Sequence, residues 1–84
     1  MRNRETKNEP QNRLLELREE KDLNQKDVAK IINIHQTTLS KYEISTSQNI
    51  PLDVLCKLAD FYKTSTDYIL FRTNERKPYP KYKR

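Results

Sequence analysis

The sequence predicts a single all-α domain of five short helices, and three observations carry that prediction. Apolar residues recur three and four apart, and no segment sustains the period-two alternation of a half-buried strand. Of the 28 hydrophobic residues, 21 fall between Leu23 and Leu70, so one short window holds most of the core material. The polar breaks inside that window are short, and no internal repeat is present. A chain of 84 residues buries only about 60% of the surface its unfolded form exposes, which allows one small core.

The elements follow in order. Residues 1–11 are polar and mixed in charge, with Pro10 near their end, and read as a flexible arm. From Asn12 the pattern becomes helical. Leu14 and Leu17 share a face with Arg18 beside it and Leu15 at its edge, while Glu16, Glu19, Glu20 and Asp22 point to water. This first helix is expected to end near Lys21. Asn24 suits the N-cap of a second helix, and Asp27 in its first turn suits the positive end of the helix dipole. Val28, Ala29 and Ile32 form its apolar stripe. Asn33 should end it, since asparagine is second only to glycine in tolerating a left-handed backbone, and Ile34 can plug into the core from that turn. A third helix is expected from about Gln36 to Glu43, with His35 or the turn residues at its cap. Residues 45–49 read as a polar loop. Pro51 suits the first turn of a fourth helix whose buried face is Leu52, Leu55, Leu58, Ala59 and Tyr62, closed by Lys63 and Thr64. Ser65 can cap a short fifth helix, with Asp67 in its first turn and Tyr68, Ile69, Leu70 and Phe71 behind. The division is therefore an arm at 1–11, a domain at 12–71 and a tail at 72–84.

Charge is unevenly placed. Residues 1–71 hold 11 Lys/Arg against 11 Asp/Glu, so the formal net charge of +5 resides entirely in residues 72–84. Such a tail is either a solvated end or a phosphate neutraliser for a nucleic acid. In the second case, deleting it should lower the salt dependence of binding and weaken all sequences alike. Cys56 is the sole cysteine, which excludes an intrachain disulfide; within the apolar run VLCKLADF it is expected to be a buried free thiol. The first residues lack the apolar segment of a signal peptide, and no stretch approaches the roughly 18 apolar residues of a membrane span, so a cytoplasmic protein without membrane contact is expected. His35 is the only histidine and no second ligand is spaced near it, which argues against a metal site. The chain has no glycine, hence no glycine-rich phosphate loop, and no triad-like constellation is evident. No enzyme, cofactor or small-molecule ligand is expected.

Two short helices joined by a tight turn can place the second in the DNA major groove, about 12 Å wide. Gln36, Thr37, Ser40 and Lys41 share one face of the third helix, opposite Leu39 and Tyr42. Gln can bond adenine N6 and N7 together, Lys can reach guanine O6 or N7, and Thr offers a methyl and a hydroxyl. Taken alone, four polar residues on a helix face are an ordinary solvated face; their place in the motif makes them candidate base readers.

The segment LNQKDVAKIINIHQTTLSKYE resembles the helix-turn-helix of the phage-repressor and Cro-like (XRE) family, with LLELREEKDLNQ and PLDVLCKLADFYKTSTDYIL matching its flanking helices. The resemblance covers roughly residues 12–71 and implies a compact five-helix lambda-repressor-like domain. It implies base reading by Gln36, Thr37 and Lys41, with Ser40 on the same face. It implies phosphate contacts by Asn24, Gln25, Thr46, Ser47 and Gln48, Gln25 also bracing the recognition helix; His35, from its place at the helix start, reads as a cap or phosphate neighbour. Arg18 and Glu43 align with a pair that ties the first helix to the third. Asn33, Ser45 and Lys63 stand where that family often has glycine, and the loop from Glu43 to Pro51 is longer than its common form.

The resemblance further implies a transcriptional regulator, expected as a repressor that binds a palindromic operator in double-stranded DNA as a homodimer. Tyr68, Ile69 and Phe71 are candidates for the dimer surface, or else they finish the core. The neutral balance of residues 1–71 keeps open an alternative, an antitoxin-like or anti-repressor protein-interaction module of the same fold.

Overall fold

The computed structural model describes residues 11–44 and 50–80. Five helices follow in the expected order: α1 (Leu14–Glu20), α2 (Gln25–Ile32), α3 (Gln36–Ile44), α4 (Leu52–Tyr62) and α5 (Thr66–Ile69). There is no strand among the described residues. The first ten residues of the expected arm, the 45–49 segment with Thr46, Ser47 and Gln48, and residues 81–84 lie outside the described residues.

Helix ends are set by local chemistry. The Asn24 side chain accepts from the Asp27 N–H at 2.8 Å and starts α2, while Ser65 accepts from the Tyr68 N–H at 3.0 Å and starts α5. Four helices stop in the same way, at a residue with positive φ: Asp22 (56°), Asn33 (70°), Lys63 (56°) and Phe71 (63°). After each, the next N–H reaches back to the helix: Leu23 to Arg18, Ile34 to Ala29, Thr64 to Ala59 and Arg72 to Asp67. These paired bonds satisfy carbonyls that a helix end leaves open, and a left-handed residue makes the reversal possible. With no glycine in the chain, Asp, Asn, Lys and Phe hold those positions.

The core draws on every helix. Leu14 and Leu17 of α1, Val28 of α2, Leu39 of α3, Leu58 of α4 and Ile69 of α5 are wholly buried, and Leu23, Ile34, Ile50 and Phe61 pack against them partly buried. α3 lies between α1 and α2, and α4 joins α2 to α5.

Several expectations are corrected. α1 begins at Leu14, not Asn12: Arg13 holds the N-cap position, and Asn12 before it is buried, with its side-chain oxygen accepting from the Leu14 N–H. Pro51 stands just before α4, and Leu52, the first residue of α4, is 75% exposed. Val54 takes its place on the buried face, since the stripe through Leu55, Leu58 and Tyr62 reaches the edge of the core at that end. Cys56 is exposed, being one residue and about 100° around the helix from Leu55. Tyr68 and Ile69 finish the core, whereas Leu70 and Phe71 lie past the end of α5 and are exposed.

Residues 72–80 run along the domain as a strap without regular structure. Thr64 Oγ1 donates to the Arg76 carbonyl at 2.6 Å, the Tyr79 hydroxyl donates to Asp67 at 2.8 Å, and the Arg76 guanidinium pairs with Glu20. Arg13 clamps the strap from the other side, donating to the Thr73 carbonyl at 3.0 Å and to Asn74 at 3.1 Å. Its guanidinium lies over the rings of Tyr68 and Phe71, 4.0 and 4.5 Å from their centroids.

Candidate nucleic-acid interface

The turn between α2 and α3 is fixed at both ends. Asn33 reverses the chain, Ile34 anchors in the core, and the His35 carbonyl accepts from the Leu39 N–H at 3.0 Å as α3 begins. α2 is strongly amphipathic, with Val28, Ala29 and Ile32 inward. α3 has almost no hydrophobic asymmetry, because buried Glu43 stands on its inner side and exposed Ile44 on its outer side. What orients α3 is therefore more than apolar burial.

Glu43 is 3% exposed and holds three donor contacts. Arg18 grips it with both arms, Nε to Oε2 at 2.8 Å and Nη2 to Oε1 at 3.1 Å, and Gln25 Nε2 donates to Oε1 at 3.0 Å. Arg18 Nη1 donates onward to the Leu23 carbonyl at 2.8 Å. A buried carboxylate is costly unless its lone pairs are met, and this bidentate pair with a third donor meets them. The hydrogen bond with Glu43 raises the Arg18 pKa, against the lowering effect of burial. The same site acts on Tyr62, whose phenol is pushed up to about 12 by burial and by Glu43, with Arg18 opposing. α1, α2 and α3 thus meet at one carboxylate.

With Leu39, Tyr42 and Glu43 turned inward, Gln36, Thr37 and Lys41 are exposed and Ser40 is half-buried between them and the domain. The fold brings these four together on α3. Asn24 and His35 are exposed at the starts of α2 and α3. Gln25 is half-buried, with its amide directed at Glu43. Among the described residues no group of three His, Cys, Asp or Glu side chains is placed to hold a metal, and no helix is long and apolar enough to cross a membrane.

Two features escape a reading of the sequence. Asn12 bridges α1 and α3, donating through Nδ2 to the Tyr42 carbonyl at 2.9 Å; its only local signal is an asparagine two residues before an apolar run. The Arg13 clamp has no local signal, because its partners lie 55 to 61 residues away.

The family model HTH_3, described as helix-turn-helix, matches residues 14–69, from the first residue of α1 to the last of α5. No curated protein and no solved structure matches the chain.

Proposed function

This chain belongs to the HTH_3 (XRE/Cro-like) helix-turn-helix family, whose domains bind DNA and are not catalytic, and from that premise we propose that it is a sequence-specific transcriptional repressor acting in the cytoplasm. In this reading α3 enters the major groove and Gln36, Thr37, Ser40 and Lys41 read base edges. Asn24, Gln25 and His35 contact phosphates, together with Thr46, Ser47 and Gln48. One observation carries the reading: α3 keeps Gln36, Thr37 and Lys41 exposed on one side while its other side is tied to α1 and α2 through Leu39, Tyr42 and Glu43. Hydrogen-bonding side chains on a braced helix are what direct readout requires.

A single short helix reads too few base pairs to single out one site, so two copies on a palindrome, with half-sites about 34 Å apart, supply the discrimination. Arg13 and the strap occupy the surface around Tyr68 and Phe71, so that surface gives no support for dimer contacts there.

The test is selection from a random DNA pool with the full chain. A palindromic motif should be enriched, and Gln36→Ala with Lys41→Ala should weaken it by roughly 1–3 kcal/mol per good base contact with folding unchanged. If the pool yields no motif although the protein is a dimer, the interaction module becomes the better reading. Exposed Ile31, Ile44 and Leu52, on a body of zero formal charge, are the observations that favour that second reading.

A further inference from the structure

Asn12 belongs to no helix, yet it is buried, and its carboxamide joins two of them. Nδ2 donates to the Tyr42 carbonyl in the last turn of α3, and Oδ1 accepts from the Leu14 N–H in the first turn of α1, both at 2.9 Å. Each of those backbone groups is one that a helix end leaves without an internal partner. Exchanging the amide oxygen and nitrogen would set donor against donor and acceptor against acceptor, so only this orientation satisfies both. A single side chain therefore meets one open group at the start of the first helix and one in the last turn of the third.

Among the described residues, the other side-chain ties from α3 to α1 and α2 act through Glu43, a carboxylate at the tip of a side chain with several rotatable bonds. Asn12 instead holds the backbone of α3 itself, at the residue next to Lys41. Gln36 stands six residues before Tyr42, about 9 Å along the axis, so a tilt of about 5° at the Tyr42 end moves it by about 0.8 Å. Productive contact geometry tolerates a displacement of about 0.5 Å. We infer that Asn12 is a positioning residue that sets the pitch of α3 against α1, and hence where Gln36, Thr37 and Lys41 meet the base edges. The inference rests on the operator-reading proposal and names a residue outside the helix-turn-helix that governs it.

Asn12→Ser and Asn12→Asp provide the test, because each keeps an acceptor for the Leu14 N–H and breaks the tie to Tyr42: ionised Asp has no donor, and the Ser hydroxyl sits one bond short of the Nδ2 position that reaches the Tyr42 carbonyl. The wild-type chain and both variants are titrated with the duplex enriched from the random pool and with a scrambled duplex of equal length, well below their melting temperatures. The ratio of the two affinities should fall about tenfold in both variants, comparable to losing one good base contact. Using a ratio cancels the charge that Asp introduces. In parallel, residual dipolar couplings of the α3 amides should cease to fit the orientation they share with α1 in the wild type. A ratio within about twofold of wild type, or unchanged α3 couplings, overturns the inference. If the wild type enriches no sequence, the operator reading fails separately, and the couplings alone decide the role of Asn12.

Discussion

Tyr62 brings a hydroxyl into the core beside the Arg18–Glu43 pair, and that oxygen is buried with no hydrogen-bond partner among the described residues. A phenylalanine there would keep the ring and remove the orphaned polar atom, so Tyr62→Phe should be neutral or stabilising by up to about 1 kcal/mol at neutral pH. The alkaline limb gives a sharper distinction. In the unfolded chain the phenol ionises near its ordinary value of 10.0, whereas in the fold it keeps its proton until about 12. Its contribution is full below pH 10 and is lost as pH rises through 12, because there the unfolded state binds fewer protons than the folded one. The loss is on the order of 2 kcal/mol. Urea unfolding of both proteins between about pH 8 and about pH 11.5 should therefore show the variant's advantage widening above about pH 10. Parallel curves throughout would mean that Tyr62 ionises no later in the fold than in the unfolded chain.

At the scale of elements, the four left-handed helix ends are a reserve of stability. A residue with a Cβ in that region costs roughly 1–2 kcal/mol, and glycine avoids this at the expense of about 0.4–1 kcal/mol of extra unfolded-state freedom. Lys63 is exposed and its backbone, at φ 56° and ψ 53°, suits glycine. Lys63→Gly should therefore raise the melting temperature by a few degrees, about 0.5–1 kcal/mol, in a thermal scan. Phe71→Gly should not, because it also removes one of the two rings over which the Arg13 guanidinium lies. Equal gains in both would show that the ring contributes nothing.

These ends also mark how far the sequence could be read. Asn33 was legible because asparagine tolerates positive φ and an apolar Ile34 follows it. Asp22 and Phe71 were not, since nothing local sets them apart from helix residues. Gln36, Thr37, Ser40 and Lys41 could be placed on one face from spacing alone, and resemblance pointed to Arg18 with Glu43. The exposure of Leu52 and Cys56 is not legible, because an apolar run does not show where the core stops. Asn12 could not be read as a bridge, because Tyr42, 30 residues away, defines its role.

At the scale of the whole molecule, the question is what the basic tail can still offer to DNA. Residues 72–80 hold three cations, and two of them, Arg72 and Arg76, face Asp67 and Glu20 on the domain. The strap's hydrogen bonds run to Arg13, the α4–α5 turn and α5, so this part of the tail works chiefly as structure. Lys81, Lys83 and Arg84 follow it with no acidic residue among them. Two truncations should then behave differently from a uniform basic tail. Deleting residues 81–84 should reduce the slope of log K against log salt by up to about 3 units between about 50 and about 200 mM salt, with the melting temperature unchanged. Deleting residues 72–84 should reduce the slope little further, while lowering stability on the order of 1 kcal/mol, about 5 °C in a domain of this size. Anisotropy titrations and thermal scans on the same preparations read both quantities. An unchanged slope in the shorter deletion would remove the end of the chain from the DNA contact, and an unchanged melting temperature in the longer one would show that the strap only rests on the domain.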